Sequence, residues 1–118
     1  MAQSNFKSLF ISAAIIAISS NALHAAPRDI ANGKEKYEET CIACHGENGK
    51  PAIPGLPDFT SRKGPLTKGN SLLLKSIIEG VDRPDADMPM PPMGGNPDLT
   101  EDDVRDILSY MRKTFKRS

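Results

Sequence analysis

From residue 29 onward the apolar positions recur at helical spacing, and no run alternates with a period of two. Ile30, Gly33, Lys34 and Tyr37 share one face of a predicted first helix over Asp29–Thr40, with Asp29 as its N-cap. Leu73, Leu74, Ile77 and Ile78 form the apolar side of a second, over Ser71–Glu79, opened by Asn70 or Ser71 and stopped by Gly80 at the C′ position. Val104, Ile107, Leu108 and Met111 repeat at i, i+3, i+4 and i+7 in a third. Its start is marked by Thr100 and Asp103, an approximate capping box, and by the acidic turn Glu101–Asp103, which complements the helix dipole. Arg112, Lys113, Lys116 and Arg117 place cations at its far end. The pattern predicts an all-α domain of three main helices.

The connections are as informative as the helices. Gly46–Pro65 and Gly80–Pro97 are rich in Pro and Gly, carry little periodicity, and are too long for tight turns. Loops of that length usually carry function or cover a ligand. Two loops, each rising to one face of a bound group, account for both.

Residues 1–25 have a different character. Lys7 precedes the apolar run Leu9–Ile18, and small residues lead to Ala25 and Ala26, the pattern of a secretory leader. Cleavage is expected after Ala25, with Ala26 as the alternative. The run is short for a spanning helix of about 20 residues, so removal is expected rather than retention as an anchor. A periplasmic address follows, with no stable membrane insertion. What remains, residues 26–118, is about the size of one small domain.

Composition narrows the function. The chain balances 15 basic against 15 acidic residues, which excludes a nucleic-acid binder driven by bulk charge. Beyond the leader the aromatics are only Tyr37, Phe59, Tyr110 and Phe115, with no Trp. So small a core calls for a staple.

Cys41-Ile42-Ala43-Cys44-His45 supplies one. Cys-x-x-Cys-His is the recognised signature of covalent c-type haem attachment. Residues i and i+3 share a helix face, so Cys41 and Cys44 can both reach one flat ring, with His45 beside it as proximal iron ligand. A redox disulfide would follow a buried strand, whereas Gly33–Thr40 is polar and helical. Zinc would need about four ligands, and the chain has only two Cys and two His, His24 lying in the leader. Export agrees with this motif, because c-type haem is joined to thiols after the chain has crossed the membrane.

Met88-Pro89-Met90-Pro91-Pro92-Met93 offers three thioethers for the other face of the iron. Met opposite His raises the potential and closes the iron to substrates. Each of Met88 and Met90 precedes a proline and is therefore biased toward extended backbone. The competing role for any of the three is packing against the ring edge.

These residues, in this order, resemble the class I cytochromes c, and the resemblance covers nearly all of residues 26–118. It rests on Gly33 and Tyr37, Cys41–Gly46, Pro54-Gly55-Leu56, the helix ending at Gly80, Met90-Pro91-Pro92, and Ile107 with Tyr110. It implies the cytochrome c fold, three main helices and long loops wrapped around one covalently attached haem c. It implies Met90 as sixth ligand, with Met88 and Met93 as the alternatives. Pro54 would offer its carbonyl to the Nδ1–H of His45, and Leu56 would pack on the haem face. Gly33 and Tyr37 would cross Ile107 and Tyr110.

The function expected is that of a mono-haem electron carrier and not an enzyme, passing single electrons to and from redox proteins such as a dehydrogenase, a cytochrome complex or a terminal oxidase. Lys50, Arg62, Lys63 and Lys68 on one loop, against Asp82, Asp85 and Asp87 near the methionines, suggest an uneven rim of charge for docking. Two alternatives differ in kind: a cytochrome subunit of a larger dehydrogenase or oxidase, and a five-coordinate haem protein that binds or reduces a small ligand.

Overall fold

A computed structural model describes residues 26–117; the leader expected over residues 1–25 lies outside them. The described residues form helices α1 (Ile30–Thr40), α2 (Ile42–His45), α3 (Asn70–Glu79) and α4 (Glu101–Thr114), with 3₁₀ turns at Pro65–Thr67 and Pro92–Gly95. No strand is present among the described residues, only an isolated antiparallel bridge between Val81 and Met90. The all-α class and the three main helices agree with the sequence pattern; α2 is an addition. The first helix does not run on smoothly into the Cys-x-x-Cys-His motif. It ends at Thr40, and the chain turns at Cys41 before α2 begins.

Helix α1 is opened by Asp29, whose side chain accepts from the Asn32 backbone N–H. Its buried face, Gly33 and Tyr37, packs on α4. A Cβ on Gly33 would lie 2.1 Å from the carbonyl oxygen of Asp106, so only glycine permits this approach. One turn later the rings of Tyr37 and Tyr110 stand 5.6 Å apart, and Phe115 meets both at 5.3 and 5.6 Å. Such tilted aromatic contacts contribute about 0.5–1.5 kcal/mol each beyond the area they bury.

Helix α4 has the capping box the sequence predicts. The Asp103 N–H donates to Thr100 Oγ1, and the Thr100 N–H donates back to the Asp103 carboxylate. Val104, Ile107, Leu108 and Met111 are all buried. Asp106 is buried beside them and accepts from the Asp29 N–H and the Asn32 amide, tying the start of the domain to its last helix.

Helix α3 corrects one expectation. Its N-cap is Gly69, and neither Asn70 nor Ser71 caps it; Asn70 is its first residue. The physical reason is competition. Asn70 Oδ1 accepts from Arg112 Nε at 2.8 Å, and the same guanidinium donates to the carbonyls of Leu66 and Lys68. The side chain that would close the helix is instead recruited by α4. At the other end Gly80 takes φ 80° and ψ 175°. Its positive φ suits glycine, but the ψ sends the chain into extended backbone rather than a left-handed cap, and so into the bridge at Val81.

Candidate haem site

An apolar cleft is enclosed by α1, α2, α3, α4 and the two long loops. Its walls include Cys41, Cys44 and His45 on one side of the sequence and Met88, Met90 and Met93 on the other. The first loop contributes Leu56 and Phe59, the second Val81, so both long loops reach the same cleft.

The attachment residues are placed by α1 and α2 together. The Cys41 N–H donates to the Tyr37 carbonyl at 2.8 Å and completes α1, while the His45 N–H donates to the Cys41 carbonyl at 2.9 Å and forms α2. Both thiols are free and line the same cleft despite the turn between the helices. The Tyr37 hydroxyl donates to the Gly46 carbonyl at 2.7 Å, fastening the end of the motif to the core. Burial, reinforced by Cys44, pushes the Cys41 thiol up to about 11, so it is protonated at neutral pH.

His45 stacks on Phe59, ring centroids 4.6 Å apart and planes at 25°. Burial lowers its pKa, which favours the neutral imidazole that a metal requires. Its Nδ1 is buried and has no hydrogen-bond partner. The bond expected from this nitrogen to the Pro54 carbonyl is not formed; Pro54 is exposed, and the imidazole lies flat against Phe59 instead. The stacking was not legible in the sequence, where Phe59 stands out only as one of two phenylalanines beyond the leader.

The three methionines occupy different settings. Met88 is 47 % exposed at the rim. Met93 packs against the hydrophobic core and takes φ 56°, rare for a residue with a side chain. Met90 is half-buried, and its backbone exchanges both hydrogen bonds with Val81, at 2.8 and 2.9 Å. A Cβ on Gly80 would come within 2.6 Å of the Met90 carbonyl, so the glycine that ends α3 also makes room for this segment.

The donor set fits a flat macrocycle and not a bare ion. Among the described residues no group of three or more His, Cys, Asp or Glu is arranged to hold a metal. Two thiols, one imidazole and four thioethers, those of Met88, Met90, Met93 and Met111, instead share an apolar cleft. The unpartnered Nδ1 marks where a haem-ligating histidine needs an orienting acceptor.

A mostly helical chain with this cleft defines a class, and comparison with known proteins gives it a family. The cytochrome c family model matches residues 30–115. Cytochrome c-555 of Prosthecochloris aestuarii is 34 % identical over 87 residues, covering 70 % of this chain and 85 % of that protein. Cytochrome c-555 of Chlorobaculum tepidum is 31 % identical over 108 residues, covering 88 % and 94 %. The counterpart from Chlorobaculum thiosulfatiphilum is 31 % identical over 83 residues, covering 70 % and 93 %. The chain belongs to the cytochrome c family: it carries one covalently bound haem c and transfers electrons.

Proposed function

We propose that this chain is a periplasmic carrier of single electrons, not an enzyme, whose haem c is joined to Cys41 and Cys44 and ligated by His45 and Met90. Haem c supplies a one-electron couple at the iron, and the residues around it decide what that couple can do. Cys41 and Cys44 fix the ring at the junction of α1 and α2. His45 offers a neutral nitrogen from the same short helix. Leu56, Phe59 and Val81 give the cleft apolar walls, a low-dielectric surrounding in which a charge change at the iron would be less screened than in water.

The observation that carries the ligand assignment is the Val81–Met90 bridge. It pins the backbone of the half-buried methionine beside the cleft, whereas Met88 is exposed and Met93, also on the cleft wall, packs against the hydrophobic core. With both His45 and Met90 holding the iron, no position would be left for a substrate, and the haem would supply one-electron transfer without a bond to the partner. Pro54 as acceptor for His45 Nδ1 belongs to the same reading and calls for the imidazole to leave Phe59 and for the loop at Pro54 to move inward. Residues 1–25 serve as the cleaved leader that delivers the chain to its compartment, and the partners are redox proteins meeting the ring's edge through small interfaces.

The test is Met90→Ala in the haem-loaded protein, read by the far-red charge-transfer band that an iron–thioether bond gives the ferric form. The band is expected to vanish in Met90→Ala and to persist in Met88→Ala and Met93→Ala. A band unchanged in Met90→Ala overturns the assignment.

A further inference from the structure

The residue just before the first attachment cysteine makes a contact that neither the core nor the ligand set explains. Thr40 Oγ1 accepts a hydrogen bond of 3.0 Å from the Asn96 side-chain amide, across 56 positions of sequence. Asn96 is the residue on which the methionine-bearing loop ends: it caps the Pro92–Gly95 turn, and its backbone N–H donates to the Met93 carbonyl. The orientation of its amide is fixed independently, because Oδ1 accepts from the Asp98 N–H at 3.0 Å and leaves Nδ2 aimed at Thr40. Gly94 lies against the Thr40 methyl, where a Cβ would come within 2.9 Å of Cγ2.

The loop is therefore held at two points. Upstream, Met90 is paired with Val81 at the end of α3; downstream, Asn96 is tied to Thr40 at the end of α1. The second tie is the more direct with respect to the haem, since Thr40 is covalently next to Cys41. From this geometry we infer that Thr40 and Asn96 are positioning residues, a clamp that holds the methionine loop to the root of the attached ring and slows departure of the sixth ligand. The inference rests on the reading of Met90 as that ligand. Neither residue touches the iron. Their effect runs through the free energy of opening the loop, of which a part-buried hydrogen bond is one component.

The experiment uses the ferrous haem-loaded protein and carbon monoxide, which must wait for the thioether to leave. Thr40→Val keeps the branched shape and the methyl against Gly94 while removing the hydroxyl. It is expected to bind carbon monoxide about fivefold faster than the parent, a factor within the usual net value of one hydrogen bond. Asn96→Ala is expected to give a similar factor, the double variant no more than either single one, and Thr40→Ser a rate within about twofold of the parent.

General loss of stability is controlled by Asn32→Ala. That change removes the Asn32 amide bonds to Asp103 and Asp106 on the α1–α4 side, away from the cleft walls. It is expected to lower the unfolding midpoint and leave the carbon monoxide rate unchanged. If Asn32→Ala accelerates binding as much as Thr40→Val, the effect is global and the clamp is overturned. It is also overturned if Thr40→Val and Asn96→Ala bind at the parent rate while Met90→Ala loses its far-red band, an outcome that leaves the ligand assignment standing. A Met90→Ala protein that keeps its band removes the ligand assignment, and the clamp with it.

Discussion

Replacing Gly80 by alanine tests how the end of one helix positions a ligand loop. The residue sits at φ 80° and ψ 175°, a region that only glycine enters at low cost and in which another residue costs about 1–3 kcal/mol. Space is the second difficulty. The new Cβ would stand 2.6 Å from the Met90 carbonyl oxygen and 2.8 Å from the Pro92 nitrogen, both backbone atoms. Restoring ordinary contact requires a shift of about 0.8 Å, in a segment whose two hydrogen bonds to Val81 are now 2.8 and 2.9 Å long. Weakening that pair adds roughly 1 kcal/mol. The expected loss is thus about 2–4 kcal/mol, a large part of the stability of a domain this small. Urea unfolding of the haem-loaded protein measures the total, and the far-red band measures the displacement of Met90. The band should weaken in Gly80→Ala under conditions where the protein remains folded. An unfolding midpoint and a band both equal to the parent's would refute the reasoning.

Three further outcomes follow from individual contacts. Hydrogen bonds from Asn32 and Thr100 hold the Asp103 carboxyl down to about 2, below its unfolded value, so the stabilisation is complete above about pH 4 and is lost as pH falls toward 2. The gap in unfolding midpoint between parent and Asp103→Asn should close over that window, and a gap independent of pH would sink the argument. Tyr37→Phe removes the bond to the Gly46 carbonyl and should lower stability by about 1 kcal/mol, or more if the carbonyl stays dry, by denaturant titration; no change would show that water replaces the hydroxyl. The Cys41→Ala/Cys44→Ala chain should carry no covalent haem after denaturation and extraction, and should show no cooperative melt by circular dichroism, since so few aromatics fill its core; a sharp native-like melt would refute the second half.

Much of this architecture was legible because it is local. The Thr100–Asp103 capping box and the four apolar positions of α4 lie within one stretch of chain, and the spacing of Cys41, Cys44 and His45 is itself the signature. The crossing of Gly33 and Tyr37 over Ile107 and Tyr110 was also within reach, through family resemblance. What escaped depends on side chains meeting across the fold. Asn70 reads as a cap until Arg112, on another helix, claims its oxygen. Phe59 gives no hint that it stacks on His45, and the Thr40–Asn96 bond joins residues of no shared motif. The turn at Cys41 and the ψ of Gly80 are backbone details set by packing, and no pattern of polarity encodes them.

The crossing of α1 over α4 also sets an order of assembly. Gly33 and Tyr37 are made about seventy residues before the Asp106, Ile107 and Tyr110 they pack on, so their contact cannot form until nearly the whole chain is available. With 11 residues, α1 falls below the roughly 12–15 at which an isolated helix becomes even marginal in water. During synthesis, then, Cys41–His45 emerges on unanchored chain, its thiols in reach of whatever must act on them. The last helix to emerge is the one that shuts the fold around them.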